Sequence, residues 1–253
     1  MKKKIGASEN RRKKIAVSGS VKRGIATNLA LGLVVVSVGF ACLYPTDGAV
    51  AADVGEANVY RRGNAANGVS LMFNVYWGTE EVLRILDVLD SKGGKATFFV
   101  GGSWADDNAG VLTEILSRGH ELGNHGYFHK DHSAMNESAN RQEISVCNEF
   151  VRLATGKQMT LFAPPSGAYG KASLSAAEAL GMKTVLWSRD TVDWRDKNAS
   201  LIYTRATKNI TGGELVLMHP MKETADALLD ILIYYETKGL SAITVSENLE
   251  QSG

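Results

Sequence analysis

Proline and cysteine are both scarce. Four prolines among 253 residues leave no proline-rich tract, and 44% hydrophobic residues with 26 glycines make a globular composition, which excludes a disordered or collagen-like chain. The two cysteines, Cys42 and Cys147, show no ligand spacing and cannot build a framework of bridges, so a disulfide scaffold and a cysteine-based zinc site are excluded. A surplus of basic charge is also missing from most of the chain. The formal net charge is +1, but up to Ala51 nine basic residues stand against only Glu9 and Asp47. That leaves 19 basic and 25 acidic residues, a net of −6, in the remainder. A net-acidic domain with no Lys/Arg stripe lacks the electrostatic footprint of a nucleic-acid binder. The length is enough for one large domain or two small ones with a real core.

What is present begins with a targeting pattern. The basic segment 1–23 is followed by a hydrophobic segment, 24–51, that includes twenty uncharged residues, 25–44 (IATNLALGLVVVSVGFACLY). That run is long enough to span a bilayer, and the positive flank predicts that 1–23 stays in the cytoplasm. Ala49-Val50-Ala51 offers a cleavage pattern, so a signal peptide removed before Ala52 competes with a retained anchor. Both alternatives place the rest of the chain outside the cytoplasmic membrane, secreted to the envelope or held on it. Residues 52–68 read as a linker, and 69–253 as the working domain.

That domain alternates short β-rich runs with helical stripes. Residues 69–75 (VSLMFNV) precede a stripe over 79–92 with Val82, Leu83, Leu86 and Leu89 on one face, closed by Gly93. Strand-like runs at 95–102, 121–125, 160–164, 183–188, 214–219 and 240–245 continue the series, with helices predicted between them. Such alternation predicts an α/β fold with a parallel sheet of seven strands, either doubly wound or a β/α barrel. In both architectures ligands collect at the carboxyl ends of the strands. Asn74, Trp77, His125, His129, Asp190, Asp193 and His219 all fall at or just after strand ends, and Trp104 and Trp194 are placed on loops of the same rim. Histidine is both the commonest metal ligand and the usual acid or base near neutral pH.

The strings at these strand ends resemble the polysaccharide deacetylase family, the NodB-homology or carbohydrate esterase family 4 group, in its sporulation-associated branch. KATFFVGG (95–102) and GHELGNHGYFH (119–129) are similar to the family's second strand and its His-x-x-x-His metal motif. FAPPSG (162–167), DTVDW (190–194) and LVLMH (215–219) follow in the family's order, and the resemblance covers about 69–249. It implies a distorted, seven-stranded (β/α) barrel of the NodB-homology type. It further implies removal of N-acetyl groups from a cell-envelope glycan such as peptidoglycan or a chitooligosaccharide, with a divalent metal, zinc first among the candidates. By position, His125 and His129 match the metal histidines, His219 the general acid, and Asp193 the carboxylate that orients it. Ser166 matches the backbone oxyanion donor, and Trp194 and Leu217 match the apolar wall around the acetyl methyl. Trp77, which no motif carries, is a candidate for stacking on sugar.

The first motif departs from the pattern. Where the family has Thr-Phe-Asp-Asp-Gly, this chain has MFNVYWG (72–78), with Asn74 at the base position and Val75 at the metal-aspartate position. Shifting the gap puts Tyr76 and Trp77 there instead, still without a carboxylate. An amide cannot accept a proton at neutral pH, and valine cannot bind a metal. Ala163 replaces the arginine that partners the missing base, and an arginine left there alone would be a buried unpaired charge. Glu80, Glu81 and His132 are the nearest residues in sequence that could supply another ligand. Three functions are compatible with this set: a deacetylase with an altered site, a non-catalytic glycan-binding member of the same fold, and a structural envelope protein. The matched acid half favours the first two, and the four matched residues lean toward the first.

Overall fold

The computed structural model describes residues 58–250. The basic segment 1–23, the hydrophobic segment 24–51 with Cys42, and 52–57 of the linker lie outside the described residues. Every strand pairing is parallel, in the order β1 (Val59–Tyr60), β6 (Lys183–Val185), β5 (Leu161–Phe162), β4 (Glu121–Asn124), β3 (Thr97–Val100), β2 (Gly68–Val75), β8 (Leu215–Met218), β7 (Arg189–Asp190). β9 (Ser241–Ala242) pairs with the first residues of β2. All seven anticipated strands are present in this curled (β/α) sheet. β1 and β7 are additional, and at two residues each they are too short to show a period. β1 also brings part of the segment read as a linker into the sheet.

Strand β2 is central and buried along its whole length. It is bonded to β3 on one side and β8 on the other, so both faces must be covered. Val69, Leu71, Phe73 and Val75 pack into the layer between sheet and helices, with Val82, Ile85, Leu86 and Leu89 of helix Thr79–Ser91 in the same cluster. Met72, on the other face, joins Phe99, Leu161, Ala163, Val185, Leu215 and Val245 in a second cluster inside the curl. Side chains alternate across a strand. Positions 73 and 75 therefore belong to the outer layer, and 72 and 74 to the interior.

Helix ends follow local chemistry. Asn136 caps helix Glu137–Thr155 by accepting from the Ala139 N–H at 2.9 Å, and Gly156, at φ 75°, ends it in a left-handed turn. Asn198 caps helix Ala199–Thr207 in the same way. The amino end of the sheet is sealed by helix Val245–Glu250, whose Asn248 receives the Ala65 N–H and donates to Ser70 Oγ. Arg62, just after β1, pairs with Glu214, just before β8, at 2.9 Å.

Gly123, inside β4, makes room for the Phe99 ring of the neighbouring strand: a Cβ there would lie 2.4 Å from that ring. Gly123→Ala is expected to lower unfolding stability by about 1–3 kcal/mol through overpacking, measured by urea denaturation. An unchanged midpoint would show that Phe99 relaxes freely.

Candidate functional site

The carboxyl ends of the strands open into a cleft of about 530 Å³, within the size range of small-ligand sites. Its lining includes Asn74, Tyr76, Trp77, His125, His129, Ser166, Trp187, Asp190, Trp194, Lys197, Leu217 and His219. Nine of the eleven expected site residues meet this cleft or stand directly behind it. Val75 does not, and Ala163 contributes its main chain rather than its side chain.

One wall is a preorganised acid pair. Asp193 is fully buried, and four donors satisfy its carboxylate: His219 Nδ1–H at 2.8 Å, the Trp194 N–H at 2.8 Å, the His219 N–H at 2.6 Å and Thr224 Oγ at 2.7 Å. A carboxylate only accepts, so His219 carries its proton on Nδ1 and presents Nε2 to the cleft. Val192, at φ 53°, makes the turn that aims Asp193 inward. The Trp77 ring stacks on His219, with centroids 5.7 Å apart and planes 7° from parallel.

The opposite wall carries His125 and His129. His125 is buried, and its Nδ1–H donates to the Ala163 carbonyl at 2.7 Å, which leaves Nε2 as an acceptor with no partner. Burial, with His129 as a lesser influence, pushes its pKa down to about 3, so the ring is neutral. His129 adopts φ 54°, and burial also lowers its pKa. The two rings lie 5.1 Å apart. The loop between them is held from beneath by residues that no motif reading singled out. Glu143 accepts the Tyr127 and Phe128 N–H groups at 3.0 and 2.8 Å and pairs with Lys130 at 2.7 Å. Asn124 accepts the Gly126 N–H at 2.7 Å. Glu143 sits one layer behind the cleft in helix Glu137–Thr155, where strand-end position gives no signal, whereas Asn124 ends β4.

The expectation that Val75 stands at the site is corrected by the strand's alternation: its side chain is buried in the outer core, and Tyr76 and Trp77, which the shifted alignment puts there, line the cleft. The Tyr76 ring stacks on His129 at 3.8 Å between centroids and meets Trp77 edge-on at 4.0 Å. Trp104 is corrected as well. It lies buried in helix Gly102–Asp107, donates its indole N–H to Thr79 Oγ at 3.0 Å and does not line the cleft. Trp187 lines the cleft instead. It ends the run 183–188, so the strand-end rule that selected the others applies to it equally.

Zinc sites use three or four protein ligands, commonly with a carboxylate or thiolate completing a histidine pair. Here His125 offers a free nitrogen lone pair, but among the described residues no group of three His, Cys, Asp or Glu side chains could hold a metal ion. His132 donates Nδ1–H to Asn140 Oδ1 at 2.6 Å and its Nε2 has no partner, but it does not line the cleft, and Glu81 pairs with Arg84. Glu80 lies in the first turn of helix Thr79–Ser91 and does not line the cleft. The residues present therefore do not complete the implied metal set. Ser166, at φ 56°, turns the chain at the cleft edge where the resemblance places the oxyanion donor.

Comparison with known proteins agrees with this geometry. The polysaccharide deacetylase family profile matches residues 61–185. The Bacillus subtilis protein YlxY is 35% identical over 184 residues, which is 73% of this chain and 58% of that protein, so the chain spans less than two thirds of it. A peptidoglycan-N-acetylglucosamine deacetylase of Bacillus cereus is 30% identical over 189 residues, 73% of this chain and 69% of that enzyme. Among solved structures, BA3943 of Bacillus anthracis, described as a CE4 family pseudoenzyme, is 31% identical with a TM-score of 0.74, over 78% of this chain and 70% of that one. A mutant of it with restored enzymatic activity has the same TM-score. With its strand order, its cleft and these relatives taken together, the chain belongs to the polysaccharide deacetylase family.

Proposed function

We propose that this domain is a deacetylase-like protein that binds N-acetylated envelope glycan in its cleft, outside the cytoplasmic membrane, with hydrolysis silenced. The observation that carries this reading is the wall around His125 and His129, where Asn74 and Tyr76, neither of them a carboxylate, line the cleft; the resemblance puts a base and a metal ligand there. Deacetylases of the family are metal-dependent. The divalent metal, when bound, polarises the acetamide carbonyl and activates water. The described residues form no metal set, and their one cleft-lining carboxylate, Asp190, accepts the Val192 N–H at 2.7 Å at the end of β7, away from the first motif in which the family keeps its base. What they supply is a ligand cradle. Trp194, 51% exposed, and Tyr76, 37% exposed, offer ring faces to sugar, and Leu217 gives an apolar floor. The direction of the leader supports placement at the envelope, where such glycan is found.

A second reading, a slow hydrolase, is favoured by the intact Asp193–His219 pair, which is built to deliver a proton from Nε2 to a leaving amine. The two readings separate on variants of the full chain, with acetate release and affinity for an N-acetylglucosamine tetramer measured side by side. Silenced hydrolysis predicts acetate release at least about 10²-fold below that of ordinary family enzymes. It also predicts an affinity unchanged by a chelator and weakened by Trp194→Ala by about 1–2 kcal/mol. Acetate release at the ordinary family rate would overturn the proposal. Loss of a measurable residual rate in His219→Ala, at constant affinity, would select the slow hydrolase.

Restoration depends on which face each position occupies. Asn74→Asp, Tyr76→Asp and Ala163→Arg together are expected to confer zinc-dependent acetate release, because base, ligand and counter-charge act as a coupled unit. Using Val75→Asp in place of Tyr76→Asp is expected to give no activity and a loss of several kcal/mol of stability, since it buries an unpaired charge in the outer core. Equal gains from both triple variants would show that the first motif can change register.

A further inference from the structure

The two walls of the cleft are joined by an unbroken line of rings. The Tyr76 ring stacks on His129 with centroids 3.8 Å apart and planes 30° from parallel, and it lies 6.2 Å from the His125 ring. It also meets Trp77 edge-on at 4.0 Å, and Trp77 in turn stacks on His219. Gly101, just after β3, gives the tyrosine its place: a Cβ at 101 would lie 3.2 Å from the Tyr76 Cβ. The ring is wedged among neighbours on several sides. Aromatic pairs at such separations attract beyond the area they bury.

Burial deepens from the tyrosine through the two histidines. Tyr76 is 37% exposed, His129 is half-buried and His125 is 1% exposed. His125 donates its Nδ1–H to the Ala163 carbonyl, so its Nε2 holds a lone pair, and that atom is buried without a partner. An imidazole lone pair is the group that a divalent metal takes. The incomplete ligand set accounts for weak binding of a metal in this cleft. It does not account for a lone pair that is shut off from the cleft altogether.

We infer that Tyr76 is a built-in cover that closes the His125–His129 pair to divalent metal ions, its ring held by His129, Trp77 and Gly101. The cover acts by volume. An ion can reach His125 Nε2 only when the ring has left its contacts, so the apparent affinity falls by the fraction of molecules in which the ring is displaced. The cover is independent of what the cleft binds, and it is a barrier to metal-dependent hydrolysis separate from the missing carboxylates.

Zinc is the probe, measured by equilibrium dialysis of the full chain stripped with a chelator, and His125→Ala gives the background from sites elsewhere. The wild type is expected to stay at that background. Tyr76→Ala should take up one zinc per chain, at least about tenfold more tightly than the wild type, which is about 1.4 kcal/mol and the order of one lost aromatic contact. Adding His125→Ala to Tyr76→Ala should remove it. Tyr76→Phe keeps the ring and should behave as the wild type. Equal uptake by the wild type and Tyr76→Ala would overturn the inference, and so would no gain in Tyr76→Ala, since the ligand set alone would then decide. Uptake by Tyr76→Phe at the level of Tyr76→Ala would assign the exclusion to the hydroxyl and overturn it too. A measurement on the wild type stands even if Tyr76→Ala does not fold. After treatment with diethyl pyrocarbonate, peptide mapping should find His219 modified and His125 intact, because His125 Nε2 is buried. Modification of His125 as fast as His219 would show that nothing covers it.

Discussion

The burial of β2 on both faces is the constraint on which the rest of the site depends. The strand is held by β3, β8 and β9, so its register cannot slip, and each of its side chains is committed either to the helix layer or to the interior. Asn74 and Val75 are adjacent in sequence and separated by the thickness of the sheet. One lines the cleft and the other fills the outer core. Where β2 ends, the chain turns, and Tyr76 and Trp77 close over the two histidine walls.

The two walls differ in how they are held. Asp193 satisfies four donors, two of them main-chain, so removing it would leave several buried groups without partners as well as releasing His219. That network gives the acid pair a structural reason to persist whatever the chemistry of the cleft. The His125–His129 wall is also anchored, through Ala163, Asn124 and Glu143, but those anchors fix the loop and not a metal. Ala163 and Asn74 are both buried and uncharged, and a charge placed at either position alone would be uncompensated. The cleft they share is lined by aromatic faces and neutral acceptors.

Much of this was legible from the chain alone. Alternating apolar runs and helical stripes placed all seven principal strands, and glycine stops marked the helix ends. The strand-end rule gathered His125, His129, Asp193 and His219 on one rim. Trp104 misled because a tryptophan just after a strand can start a loop or a buried helix, and only its hydrogen bond to Thr79 decides which. Glu143, nineteen residues past Asn124 and inside an ordinary amphipathic helix, gave no sign that it braces the His125–His129 loop.

The sequence by itself determined the alternating α/β architecture, the identity of the titratable residues at the strand ends, and the absence of any carboxylate from 72–78. These follow from residue type and short-range spacing, which need no knowledge of neighbours. Only the tertiary structure decided that Tyr76 rather than Val75 enters the cleft, that Trp187 rather than Trp104 lines it, and that Asn74 is left with an unpartnered acceptor. A strand buried on both faces carries no polar and apolar alternation from which to read its orientation. Which side of it faces the ligand is settled by the strands and helices packed against it, contributed by residues far away in the chain.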